Sequence, residues 1–122
     1  MAKHNETGKI GEHLARTFLE SKGFLILEVN WRYRKAELDL IAKDGETLVF
    51  IEVKTRSTDL FGQPTESISA RKKQLLADAA SAYIEQIGHD WAIRFDVISI
   101  IYKSAEHYTI EHFEDAFFPG LE

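Results

Sequence analysis

The stretch Val49-Phe50-Ile51-Glu52-Val53-Lys54 decides how this 122-residue chain folds. Its β-branched and aromatic residues favour a β-strand, and yet it contains two charged side chains. Because side chains alternate along a strand, Glu52 and Lys54 share one face with Phe50, while the β-branched residues form an apolar face. The sequence therefore holds an acid and a lysine on one face of a strongly strand-forming segment.

A second strand, Glu37–Ile41, precedes this stretch, and the turn signal Lys43-Asp44-Gly45-Glu46 between them predicts a β-hairpin. Alternation would place the two acids of this strand, Glu37 and Asp39, on one face and its two leucines on the other. The turn brings Asp39 roughly opposite residues 50–52. Since cross-strand neighbours lie about 5 Å apart, we expect Asp39 to converge with the acid and the lysine of the first stretch.

A cluster of Asp39, Glu52 and Lys54 suits a hydrated divalent cation. Mg²⁺ keeps several waters and takes one or two protein carboxylates together with phosphate oxygens, and the sequence does not distinguish it from Mn²⁺. The ion would lower the pKa of a bound water, while Lys54 would orient or deprotonate that water and stabilise developing charge. The pattern favours phosphodiester hydrolysis; the alternative is a cross-strand salt bridge on a solvated sheet face.

The remaining elements follow from hydrophobic spacing and cap residues. Helical spacing predicts one helix between Asn5 and Lys22 and another from Ser69, a good N-cap, to Ile87, where Gly88 ends the run. Strand patterns cover Phe24–Trp31, Ala92–Ile101 and His107–Phe113. The resulting order, α-β-β-β-α-β-β, contains a strand-helix-strand unit that suggests a right-handed parallel crossover, and it predicts an α/β fold with a mixed sheet flanked by helices.

The composition, with 44% apolar and 29% charged residues, is that of one globular domain spanning residues 1–122. The chain has no cysteine, which excludes disulfides and thiolate metal sites. No stretch reaches the roughly 20 unbroken apolar residues of a membrane span, and the first residues lack an apolar signal segment. We therefore expect a cytoplasmic protein without membrane contact.

The charge is unevenly distributed along the chain. Residues 1–73 hold 13 Lys and Arg against 11 Asp and Glu, whereas residues 74–122 hold 2 against 9. The net charge of −5 argues against nonspecific coating of nucleic acid, which depends on many phosphate contacts. If a polyanion binds, we expect the first 73 residues to bind it.

Asp39, followed after twelve residues by Glu52-Val53-Lys54, resembles the signature of the PD-(D/E)XK nuclease superfamily, whose core has the order α-β-β-β-α-β. Several motifs, spread between Gly8 and Ile100, also resemble the YraN family, an uncharacterised bacterial group described as predicted endonucleases related to archaeal Holliday junction resolvases. Two positions depart from the usual motifs. Leu38 stands where the superfamily often has proline, and Ala36 stands where glycine is expected before Glu37-Leu38-Asp39. The motifs are Gly8–Glu12, Asn30–Arg32, Glu37–Ile41, Phe50–Arg56, Lys72 and Arg94–Val97.

This resemblance implies a restriction-endonuclease-like sheet of about five strands and a metal-dependent endonuclease acting on DNA, including branched or structured DNA. It implies that Asp39 and Glu52 are metal ligands, that Lys54 is the catalytic lysine, and that Glu12 is a further metal-binding acid from the first helix. Glu12 borders the apolar stripe of that helix. Glu37 is expected either to hydrogen-bond to one of the metal ligands without binding the metal itself, or to be an exposed strand residue. A two-fold junction would favour a homodimer.

Basic residues beside the candidate site predict a surface that contacts nucleic acid. Arg32 and Arg34 alternate with Trp31 and Tyr33 along the chain. The two arginines would therefore share one strand face as phosphate contacts, and the two aromatic rings would form a stacking surface on the other face. The alternative is a pair of surface arginines above a buried tryptophan. The residues expected to contact nucleic acid are Arg32, Arg34, Arg56 and Lys72.

Two other functions stay open beside the nuclease. One is a non-catalytic nucleic-acid-binding module, and the other is a protein-interaction domain that docks a partner through Phe113, Phe117 and Phe118. Two structural expectations complete the analysis. Arg94 pairs with Asp96 on one strand face, and the five histidines, which lack metal-binding spacing, are surface residues.

Overall fold

Two helices and five strands make up residues 6–57 and 69–117, the part of the chain described by the structure, which is a computed structural model. Their order confirms the predicted α-β-β-β-α-β-β arrangement; Asn5, the expected start of the first helix, lies outside the described residues. Within these residues, no helix has the length and hydropathy that a membrane crossing requires. The elements are α1 (Glu6–Ser21), β1 (Leu25–Tyr33), β2 (Ala36–Asp44), β3 (Thr47–Arg56), α2 (Ala70–Ile87), β4 (Ile93–Ser104) and β5 (His107–Phe113).

The strands form one mixed sheet in the order β1-β2-β3-β4-β5. Neighbours are antiparallel except for β3 and β4, which run parallel because α2 carries the chain back across the sheet. The Ser69 Oγ accepts a 3.1 Å hydrogen bond from the Lys72 N–H and caps α2, and Gly88 ends that helix with a left-handed φ of 69°. The mixed sheet, the parallel crossover and both caps of α2 were predicted correctly.

The helices cover opposite faces of the sheet, and each face carries its own apolar layer. In α2 the buried residues recur at the spacing of one helical face, which is why this helix lies flat on the strands. The layer under α1 comprises Ala15, Leu19, Phe24, Leu40, Ala42, Val49, Ile51, Val53, Ile98 and Ile100. The layer under α2 comprises Ala36, Leu38, Ile41, Leu48, Phe50, Leu76, Ala79, Ala80, Tyr83 and Phe95.

One irregularity interrupts the alternation of β2. Leu38 packs under α2, whereas Leu40 packs under α1, so the expectation that both leucines share a face is wrong. The adjacent strand, β1, changes face at the same level. Its Asn30 adopts a left-handed φ of 53°, a conformation that asparagine tolerates better than most residues. Because Trp31 pairs with Leu38 and Val29 with Leu40, Asn30 lies level with Asp39.

Gly11 marks the closest approach of α1 to the sheet. A Cβ atom on this buried glycine would stand only 1.8 Å from the Oγ1 atom of Thr55 on β3. Only a residue without a side chain fits this position. The close packing fixes the next residue, Glu12, beside the carboxyl-terminal half of β3.

Replacing Gly11 with alanine should lower the free energy of unfolding by about 1–3 kcal/mol, because the added methyl group overlaps Thr55. Helix propensity alone predicts a change of the opposite sign, a gain of up to about 1 kcal/mol. Urea unfolding distinguishes the steric argument from the helix-propensity argument, because they predict changes of opposite sign in the free energy of unfolding. Combining the change with Thr55→Ala removes the nearest atom and should restore part of the loss, whereas a single variant more stable than wild type would contradict the steric argument.

A polar cluster around the buried Asp96 joins β5 and the end of α1 to β4. The Arg94 Nε and Nη2 atoms donate hydrogen bonds of 2.8 and 2.9 Å to the fully buried Asp96 carboxylate, so the predicted pairing of these two residues is confirmed. The His112 Nε2 lies 2.7 Å from the same carboxylate, and Lys22 Nζ lies 2.8 Å from Nδ1. Because the His112 side chain is only 3% exposed, the expectation that every histidine lies on the surface is wrong; His4 lies outside the described residues.

Asp96 stays ionised in this cluster despite its burial. Burial by itself raises the pKa of its carboxyl, but hydrogen bonds from His112, from Arg94 and from the Asp115 N–H outweigh burial, and the pKa is lowered below its usual value. The charged form is therefore the one that the folded chain stabilises.

Asp96→Asn should destabilise the protein most at neutral pH. A carboxyl with a lowered folded-state pKa contributes stability above its unfolded pKa of about 3.9, and this contribution is lost as the pH falls through the folded-state pKa. The difference in unfolding free energy between wild type and variant should therefore be largest near pH 7 and shrink below pH 4 or so. Urea titrations at several pH values measure it, and a difference independent of pH would show that the carboxylate charge is not what stabilises the fold.

Candidate active site

Asp39 is fully buried where the pairing between β2 and β3 ends. The paired register runs from the hairpin turn to Leu40 opposite Ile51. Just beyond that pair, the Asp39 Oδ2 accepts a 2.8 Å hydrogen bond from the Val53 N–H. The side chain of one strand thus takes the place of a backbone acceptor and holds the Asp39 carboxylate against the peptide that follows Glu52.

Glu52 lies on the α2 side of β3 and is only 3% exposed. The Lys72 Nζ from the first turn of α2 lies 2.5 Å from the Glu52 Oε2, and the Lys72 side chain is about one-third exposed. Lys72 is one of the residues expected to contact nucleic acid, and the structure shows that it reaches from the surface to a buried acid. This ion pair joins the start of α2 to the central strand.

Lys54 follows Glu52 by two residues on β3 and is half-buried. Its position is opposite Ser99 in the parallel register with β4. Along a regular strand these positions share a face, so Lys54 lies on the α2 side with Glu52. Asp39, Glu52 and Lys54 are thereby brought to adjoining positions on two neighbouring strands.

Glu12 reaches the same region from the other side of the sheet. It is 7% exposed, and its Oε1 accepts a 3.1 Å hydrogen bond from the Asn30 Nδ2. Asn30 lies level with Asp39, so one asparagine links the acid of α1 to the strand position of the buried aspartate. Asn30 belongs to the motif Asn30–Arg32 but was given no role, although asparagine is among the residues that tolerate a left-handed φ inside a strand.

Among residues 6–57 and 69–117, no three acidic or histidine side chains converge as a group able to hold a metal ion. Glu12 therefore approaches Asp39 and Glu52 through Asn30 and does not form a three-carboxylate cluster with them. Asp39 and Glu52 supply oxygen ligands only. This donor set fits Mg²⁺ or Mn²⁺ on chemical grounds, since Mg²⁺ needs only one or two protein carboxylates and retains water in its other positions.

A cavity of about 340 Å³ opens beside the Glu52–Lys72 ion pair. Glu37 and Lys72 both line it, and Arg71 and Lys35 make its rim basic. Glu37 also pairs with Arg32 across β1 and β2, at 3.7 Å. Glu37 therefore faces the approach to the ion pair.

The aromatic and basic residues at the end of β1 are arranged differently from the expectation. The Trp31 and Tyr33 rings are parallel to within 3°, with centroids 6.4 Å apart, as expected for residues on one strand face. Arg34, however, lies beyond the end of β1 with a left-handed φ of 56°, and its guanidinium lies 5.2 Å from the Tyr33 ring centroid. The last predicted contact, Arg56, ends β3 as a half-buried residue.

Fold and site together define a mixed α/β protein whose central strand carries a buried glutamate and a half-buried lysine near one end. The chain belongs to the uncharacterised protein family UPF0102, whose family model matches residues 11–100. This confirms the resemblance to an uncharacterised bacterial family that the motifs indicate.

Relatives of similar length match almost the whole chain. UPF0102 proteins of Flavobacterium psychrophilum and Christiangramia forsetii are 48% and 50% identical to it over 118 residues, which cover 97% of this chain and 98% of each relative. A UPF0102 protein of Bacteroides thetaiotaomicron is 43% identical over 121 residues, or 99% of both chains.

Lys72→Met should lower the free energy of unfolding by about 1–2 kcal/mol, because it removes a cation from a carboxylate that is almost fully buried. The neighbouring Arg71 is exposed, so Arg71→Met serves as the matched control and should change stability by no more than about 0.5 kcal/mol. Urea unfolding at pH 7 measures both. An equal loss in the two variants would show that the ion pair adds nothing specific.

Proposed function

We propose that this chain is a metal-dependent nuclease that hydrolyses phosphodiester bonds in DNA. The proposal is supported chiefly by the 2.8 Å hydrogen bond that holds the buried Asp39 beside the strand segment carrying Glu52 and Lys54. Membership of the PD-(D/E)XK superfamily and a preference for branched DNA belong to the same proposal.

Burial makes the two acids costly unless cations compensate their charge. All other buried positions of β2 and β3 hold apolar residues, so Asp39 and Glu52 do not contribute to ordinary core packing. Adjoining carboxylates on neighbouring strands match what a divalent ion requires, because one ion compensates both charges. A role in metal binding accounts for acids that stability alone does not call for.

In the proposed reaction, Asp39 and Glu52 would hold the ion. When bound, Mg²⁺ supplies a Lewis acid for the phosphoryl oxygens and lowers the pKa of a coordinated water. The Lys54 ammonium orients the attacking water and stabilises the negative charge that develops on the phosphoryl group. Lys72, paired with Glu52 in the structure, exchanges that carboxylate for a phosphate oxygen of the substrate.

Basic side chains around the opening position the nucleic-acid backbone. Arg71, Lys35 and Lys72 line the cavity beside the ion pair, and Arg32 lies across from Glu37 at its edge. These residues belong to the first 73, which carry nearly all the basic residues of the chain. Phosphate contacts of this kind set the position and register of the DNA without reading its sequence.

Each alternative function assigns a different role to these residues. A non-catalytic binding module would keep the Glu52–Lys72 pair as a permanent structural ion pair and would use only the basic rim. A protein-interaction domain would need free aromatic residues, but Phe117 packs against Phe95 with ring centroids 5.4 Å apart, and Phe113 is half-buried. Phe118 lies outside the described residues. These contacts favour the nucleic-acid functions over the protein-docking one.

Glu52→Gln and Lys54→Ala should each reduce metal-dependent cleavage at least about 100-fold, because one removes a ligand charge and the other the cation at the phosphoryl group. Cleavage is measured with linear, flapped, four-way and single-stranded DNA in Mg²⁺ or Mn²⁺. Exposed residues of the same type, in Glu111→Gln and Lys103→Ala, provide matched controls.

Thermal unfolding of all four variants verifies that each is folded. Cleavage by both site variants at the wild-type rate would refute the nuclease proposal. DNA binding that survives Glu52→Gln, without product from the wild type under any metal condition, would favour the binding module.

A further inference from the structure

A groove of about 730 Å³ runs between the end of β1 and the outward face of α2. Trp31, Tyr33 and Arg34 form its β1 wall, and Asp78, Ser81 and Glu85 form its α2 wall. Its volume is in the range of pockets that hold small organic rings. The groove lies outside the carboxylate site, and the nuclease chemistry does not use it.

The β1 wall is an aromatic surface held in a fixed orientation. The parallel Trp31 and Tyr33 rings are both partly exposed and form an aromatic surface on which a planar ring can stack. Trp31 is held from behind by an edge contact with Tyr83, with centroids 5.1 Å apart. Burial, followed by the charge of Glu28, raises the pKa of Tyr83 to about 12, so its hydroxyl stays protonated and donates to Glu28.

The opposite wall indicates which kind of ring fits. Asp78 and Glu85 make it acidic, so it repels phosphate and does not suit the nucleic-acid backbone. Carboxylates instead accept hydrogen bonds from the amino groups of bases, as acidic side chains do from the cytosine N4 amine. Arg34 lies over Tyr33 at the rim, where it adds a cationic face to the aromatic stack and a phosphate contact.

The position of the groove relates it to the carboxylate site. Trp31 pairs with Leu38, the residue next to Asp39. The turn that follows Arg34 leads into the second cavity, beside Glu37 and Lys72. The groove and the second cavity therefore adjoin the same turn between β1 and β2, because Arg34 lines one and Lys35 lines the other.

We propose that this groove binds one unpaired, amine-bearing base of the nucleic acid next to the phosphate that is cleaved. The inference rests on the proposed function, since the ligand is taken to be nucleic acid. A paired base is covered by its neighbours in the stack and cannot place its face on Trp31 or Tyr33, so the groove selects DNA with an unpaired nucleotide.

The test is a binding measurement, which is independent of cleavage. Fluorescence anisotropy in Ca²⁺ compares a labelled duplex with a short overhang of cytosine, of thymine, or of abasic sites. Wild type should bind the cytosine overhang about tenfold or more tightly than the abasic one, since stacking on an aromatic side chain contributes at that level. Thymine, which carries a carbonyl where cytosine has its amine, should bind less tightly than cytosine.

Tyr33→Ala should remove the advantage of the cytosine overhang over the abasic one. The matched control is Tyr108→Ala, which alters an exposed tyrosine on β5 at the far edge of the sheet and should keep that advantage. Glu85→Gln should reduce the preference for cytosine over thymine without altering the aromatic wall. Thermal unfolding confirms that the variants are folded.

The outcomes separate this inference from the nuclease proposal. Equal binding of cytosine and abasic overhangs by wild type, or an unchanged preference in Tyr33→Ala, overturns the base site even if the protein cleaves DNA. A preference lost only in Tyr33→Ala supports the base site even if no DNA is cleaved, in which case the nuclease proposal alone fails. Absence of DNA binding by wild type overturns the base site as well.

Discussion

The hydrogen bond from the Val53 N–H to the Asp39 carboxylate is the interaction on which the candidate site depends. It occurs where the ladder between β2 and β3 ends, so the side chain of one strand completes the hydrogen bonding of the other. A carboxylate buried inside a sheet is costly unless it is hydrogen-bonded, and this bond fixes the orientation of the Asp39 side chain. The bond keeps the Asp39 carboxylate beside Glu52, and this proximity makes a shared cation chemically reasonable.

The two helices bring further groups to this point by different physical means. α1 does so through close packing, since Gly11 lets the helix approach Thr55 closely enough for Glu12 to bond Asn30. α2 does so through charge, since Lys72 extends from the capped first turn to Glu52. The equally buried Asp96, by contrast, uses its hydrogen bonds with Arg94, His112 and the Asp115 N–H to fasten β4 to β5 and to the chain that follows β5. Burial alone thus does not distinguish a candidate catalytic acid from a structural one.

Much of the fold could be predicted from the sequence because its signals are local. The Val49–Val53 pattern, the Asp44-Gly45 turn, Ser69 and Gly88 each act within a few residues, and all formed as expected. The failures came from backbone conformations that alternation does not reveal. The change of face near Asp39 separated Leu38 from Leu40, and a left-handed φ turned Arg34 onto Tyr33. His112 was misjudged because the partners that bury it, Asp96 and Lys22, are distant in sequence.

The simultaneous change of face in β1 and β2 also limits which changes of chain length the protein can accept. Asp39 is aligned with Val53 through the β2–β3 hairpin. A residue inserted into or removed from β2 between Asp39 and the Gly45 turn would shift Asp39 relative to Val53 and would rotate the following side chains to the opposite layer. The exposed turn at Gly45 and Glu46 lies outside this constraint. Tags, linkers or circular-permutation points therefore belong at that turn, and the two strand segments beside Asn30 and Asp39 must keep their length.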